Sequence, residues 1–102
     1  MNVAKTIIEQ LGGGRFAAMT GARNFVALSA AFNGEDGVQF SIGRNAKRVN
    51  KVVVTLNGRD LYDVRFWNVT RARCTQVAEY NDVYCDSLRT VFESATGMYT
   101  SF

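Results

Sequence analysis

The chain contains no histidine and no proline. Without histidine it lacks the usual general base near neutral pH and the commonest metal ligand. Without proline, every chain reversal falls to Gly, Asn and Asp. Cysteine is scarce. Cys74 and Cys85 fit neither a metal-ligand nor a redox spacing. In a reducing cytosol they read as two buried or half-buried thiols rather than a disulfide. No apolar run approaches the length of about 18 residues that a membrane helix needs. At the start, MNVAKTIIEQ is interrupted by Lys5 and Glu9 and has no signal-peptide core, so the expected location is the cytoplasm. No cofactor or metal is implied.

What is present suits one folded domain. The 102 residues are 47% hydrophobic, enough for a single modest core. The net charge of +3 is unevenly spread. Residues 44–73 hold Arg44, Lys47, Arg48, Lys51, Arg59, Arg65, Arg71 and Arg73 against only Asp60 and Asp63. The first 43 residues are balanced, and the segment from residue 74 onward is acidic. This polarity is the strongest functional hint in the composition.

The stretch NDVYCDSLRTVFESATG, residues 81–97, predicts an amphipathic helix around which the core is organised. Tyr84, Leu88, Val91, Phe92 and Ala95 share one face. Asn81 or Asp82 can cap its start and Gly97 can end it in the left-handed conformation. Burying Leu88, Val91 and Phe92 contributes about 1.5–3 kcal/mol each before entropy. A shorter helix is expected over residues 3–11, with Asn2 as cap, Val3, Ile7, Ile8 and Leu11 inward, and Gly12 as its stop. The triple glycine Gly12–Gly14 follows a helix and lacks a GK[ST] sequel, so it reads as a hinge rather than a phosphate cradle. Strands are expected at residues 15–20, 25–32, 38–42, 51–56 and 61–70, with a weaker one at 75–80. NGEDG and Asn57-Gly58 supply turns. Val38, Phe40 and Ile42 alternate with Gln39 and Ser41. Tyr62, Val64 and Phe66 alternate with Asp63, Arg65 and Trp67, and the first set is expected inward. The tail residues Met98, Tyr99 and Phe102 are expected to pack back on the domain. The fold class is α+β: an antiparallel sheet of about five strands flanked by an N-terminal helix and a longer C-terminal helix. A strongly bent sheet or half-barrel is the close variant.

Three stretches carry a resemblance. MNVAKTIIEQLGGGRFAAMTGARNF, LYDVRFW and DVYCDSLRTVFESATGMYTSF resemble a family of small uncharacterised proteins encoded by bacteriophages and prophages. The similarity covers both ends of the chain. Residues 26–58 match only in their plan of short strands around a basic turn. Family members often carry Asn or Asp where this chain has Gly14. The resemblance implies a phage origin and the cytoplasm of a bacterial host. It implies no activity, ligand or site residue.

Enzymatic arrangements are thin. Asp82 and Asp86 have helical spacing for a shared cation, but one capping acid and one exposed first-turn acid explain them better. Cys85 has no histidine to activate it. A binding role fits better. Arg44, Lys47, Arg48 and Lys51 lie in one loop and strand entry. Arg65, Trp67, Arg71 and Arg73 come from a neighbouring strand and its exit. Cations for phosphates and a π-face for bases are what single-stranded nucleic acid requires. The plainer explanation is a solvated basic surface with Trp67 in the core. Two rivals remain: inhibition of a host defence or nucleic-acid-processing complex, through the same basic face or through an acidic helix face that mimics nucleic acid charge, and a part in virion assembly. An exposed edge strand also leaves room for a homodimer.

Overall fold

The structure is a computed structural model that describes residues 3–29, 36–45 and 47–98. In chain order the elements are α1 (Val3–Leu11), α2 (Gly13–Thr20), β1 (Arg23–Leu28), β2 (Gly37–Ser41), β3 (Lys51–Leu56), β4 (Tyr62–Val69), β5 (Cys74–Val83), a 3₁₀ turn (Cys85–Ser87) and α3 (Leu88–Thr96). The five strands form one antiparallel meander, ordered β1-β2-β3-β4-β5. The sheet stays open, so the α+β expectation holds without barrel closure. No helix is long and apolar enough to cross a membrane among the described residues.

One face of the sheet packs against the helices. Val38, Phe40, Val52, Val54, Tyr62, Val64 and Phe66 are buried there. The alternation expected in β2 and β4 is therefore the observed one. From the helices come Ala4, Ile7 and Leu11 of α1, Phe16 of α2, and Leu88, Phe92 and Ala95 of α3. Phe16 joins the layers: its ring meets Phe40 edge-on at 5.6 Å and Phe92 at 5.0 Å. Such contacts add to the area term for rings that bury this much surface.

Several expectations are corrected. Residues 15–20 are not a strand but most of α2. Phe16 and Thr20 point inward four residues apart, and the Thr20 hydroxyl donates to the Phe16 carbonyl at 2.8 Å. Gly21 closes α2 with φ 71°, its N–H donating to the Ala17 carbonyl. The hinge at Gly12 (φ 127°) therefore joins two helices rather than a helix and a strand. The C-terminal helix starts late. Residues 81–83 belong to β5, and Val83 pairs with Tyr62. Tyr84 is 65% exposed rather than part of the core. Asp82 lies in the strand and caps nothing. Gly97 ends α3 in the left-handed conformation, as expected. Strand β5, expected to be short and weak, is the longest at ten residues. The β3–β4 turn is longer than an Asn-Gly hairpin: Asn57 Oδ1 accepts from the Arg59 and Leu61 N–H groups, and Asp60 takes the positive φ. Both cysteines are free and exposed, not buried. Met98 packs on the core. The Asn2 cap, residues 30–35 of the β1–β2 connection, Tyr99 and Phe102 lie outside the described residues.

Candidate nucleic-acid interface

Strand register sorts the charged residues. On the face away from the helices, Arg23 lies across from Ser41, Ser41 from Lys51, Lys51 from Trp67 and Trp67 from Gln76. This row crosses the sheet at the strand ends where the β2–β3 and β4–β5 connections emerge. Residues 43–50 form the first connection and Thr70–Arg73 the second. Arg44, Lys47, Arg48, Lys51, Arg71 and Arg73 therefore gather at one end of the sheet, as the sequence suggested. Arg23, which sequence reasoning passed over, joins them at the start of β1. All are exposed except half-buried Lys51.

The loop is pinned by amides. Asn45 donates to the carbonyls of Gly43 (3.0 Å) and Val49, and accepts the Val49 N–H at 3.1 Å. Asn50 clasps Val69 both ways: its amide donates to the Val69 carbonyl at 2.7 Å and accepts the Val69 N–H at 2.8 Å. Asn68 donates to the Arg48 carbonyl at 2.6 Å, which holds Arg48 at φ 59°. Buried Val49 roots the loop in the core. These asparagines were not singled out in the sequence. The signal was there, since Asn45 and Asn50 lie within the basic run from Arg44 to Lys51.

Two clefts meet at Asn50. One, of about 270 Å³, is lined by Ile42, Gly43, Arg44, Asn45, Arg48, Val49 and Asn68 as well as Asn50. The other, of about 240 Å³, is lined by Arg23, Ser41, Lys51 and Val69 with Asn50. Together they make a trough across the strand ends from β1 to β4. Four of the seven cations, Arg23, Arg44, Arg48 and Lys51, line it, and none of the seven forms an ion pair among the described residues. The two cations placed farther along the sheet do. Arg65 binds Glu79 at 2.8 Å and Arg59 binds Asp82 at 3.1 Å. Arg65 thus reaches the open face beside Trp67 with a carboxylate attached. Trp67 is half-buried on that face, directly across from Lys51.

The residues considered for enzymatic roles lie away from the basic end. Asp82 is held by Arg59 and by the Asn57 amide at 2.9 Å. Asp86 is exposed in the 3₁₀ turn, and no cluster of three metal-ligating side chains occurs among the described residues. Cys85 is exposed beside the Tyr62 phenol, whose pKa is raised above 10.0 by burial first and by the Cys85 thiol second, partly offset by a hydrogen bond from Gln10.

No family model, curated protein or solved structure matches this chain.

Proposed function

We propose that this chain is a small phage-encoded, non-enzymatic protein that binds single-stranded nucleic acid along the basic trough, with Trp67 stacking on a base. One observation supports this above the others. Seven cations are concentrated at one end of the sheet without carboxylate partners among the described residues, while the cations farther along are neutralised. Clustering like charges costs self-repulsion, and phosphates relieve it by releasing their own counterions.

The reading also explains the loop chemistry. Asn45, Asn50 and Asn68 spend their amides on the backbone, so what reaches the ligand is guanidinium and ammonium. Those groups read phosphate and not base edges. Binding is expected to be nearly independent of sequence.

The test is fluorescence anisotropy with labelled oligonucleotides across a salt series. Affinity should fall steeply with salt, at about 0.7 logarithmic units per phosphate neutralised on a single strand. Lys47→Ala and Arg71→Ala should each weaken binding and flatten that slope by one such increment. Trp67→Ala should weaken binding by about 1–3 kcal/mol and leave the slope alone. Absence of binding at low salt would refute the proposal and leave docking on an acidic protein surface as the alternative.

A further inference from the structure

The open sheet has two edges, and they are built differently. Strand β5 is broken twice. Val77 is an extra residue between the Trp67–Gln76 and Phe66–Ala78 pairs. Asn81 and Asp82 together oppose Asp63, with Asp82 at φ 55°. Glu79 and Asp82 add charge to the same strand. Bulges and charges are the usual means of preventing a sheet edge from pairing with another chain.

Strand β1 has one bulge, at its start, where Asn24 and Phe25 oppose Phe40. Beyond it Val26, Ala27 and Leu28 run in regular register with Gln39, Val38 and Gly37. Residues 25–28 carry no charge, and side chains are exposed on both faces: Phe25 is 38% exposed on the helix side and Val26 is 47% exposed on the open side. A strand with apolar groups above and below a regular edge, which no other strand among the described residues pairs with, is suited to strand addition.

Charge selects the occupant. One end of the sheet carries the seven cations that form no ion pair among the described residues. Among the described residues the other end carries Asp36, Asp60, Asp63 and Asp82 against Arg59. In a meander of five strands β1 and β5 run in the same direction. Joining β1 of one copy to β5 of the next with the helices kept on one face of the extended sheet makes a parallel pair and aligns basic end with basic end. Joining β1 to β1 of a second copy around a two-fold axis is antiparallel, and sets each basic end beside the partner's acidic end. It also brings Val26 and its neighbours together without a charge between them. A two-fold contact needs such self-complementarity. We propose that the chain forms a homodimer by antiparallel β1–β1 pairing, extending the sheet to ten strands. This inference does not depend on the nucleic-acid reading.

Sedimentation equilibrium of the full chain over a range of concentrations tests it. The expected species has twice the 11.3 kDa chain mass. Val26→Lys should return the mass to that of the monomer at the same concentration, with an unchanged circular dichroism spectrum, because the side chain is solvent-facing in the monomer. Val77→Lys on β5 should remain dimeric. High salt should weaken the dimer, since charge complementarity orients it. A parent chain that is monomeric throughout, or a dimer abolished by Val77→Lys and not by Val26→Lys, would overturn the proposal.

Discussion

Arg48 shows how a single residue can carry two opposed demands. Its backbone sits at φ 59°, a region that costs a residue with a Cβ roughly 1–2 kcal/mol. The Asn68 amide on its carbonyl helps to hold it there. Glycine would relieve the strain but loses the guanidinium. Arg48→Gly is therefore expected to raise the denaturation midpoint, by up to about 1 kcal/mol in stability, while weakening oligonucleotide binding. Arg48→Ala keeps the strain and should weaken binding equally with no gain in midpoint. Tyr62 offers a second test at this scale. It is 6% exposed, and its phenol titrates above 10.0 because burial disfavours the anion, with Cys85 adding to the effect. A folded-state pKa above the unfolded value means that the contribution to stability is intact below pH 10 and is lost as pH rises through the folded pKa. Denaturation midpoints followed from pH 8 upward should fall in that window for the parent. The fall should be shallower in Tyr62→Phe.

At the scale of elements, the clasp between Asn50 and Val69 is the device that turns a flexible basic loop into a fixed one. Asn50→Ala removes both hydrogen bonds but no charge. Stability should fall by about 1–3 kcal/mol. Oligonucleotide affinity should also fall, because the loop must now be ordered on binding, whereas the salt slope should hold. An unchanged affinity would show that the loop needs no preordering. The elements also show what the sequence revealed. Strands β2, β3 and β4 were legible because each buries one face and so alternates. Strand β5 was underestimated because it is an edge exposed on both sides along most of its length, which leaves no alternation to read. Helix α2 was missed because Phe16 and Thr20 are its only buried residues, too sparse to establish a helical period against a strand reading. Gly21, the stop signal of α2, falls between the strands expected at residues 15–20 and 25–32, where a glycine serves equally as a turn. The cations of the trough were legible as a charge block. Arg23 was not, because only the pairing of β1 with β2 brings it across the sheet to them.

At the scale of the whole molecule, the arrangement is a sheet with a basic end, an acidic end that includes the Arg59–Asp82 pair, and the Arg65–Glu79 pair between them. The Arg65–Glu79 pair lies nearest the trough and neutralises a cation beside Trp67. Both side chains are about one-third exposed, at 31% and 35%. A pair in that setting is worth little, about 0–1 kcal/mol, so Glu79→Gln should change stability only slightly. Its effect on binding should be larger. The substitution frees the Arg65 guanidinium on the face where a base stacked on Trp67 would bring its phosphate. Affinity for single-stranded oligonucleotides should rise, and the salt slope should steepen by about 0.7, as one more phosphate is neutralised. The control is Asp82→Asn at the other end of the sheet. It makes the same change in net charge by releasing Arg59. If the trough and Trp67 form the site, Asp82→Asn should leave the slope near that of the parent. Equal gains from both substitutions would mean that net charge alone attracts the strand and that the trough has no special role. A gain confined to Glu79→Gln would place the bound strand along the basic end and over the open face beside Arg65.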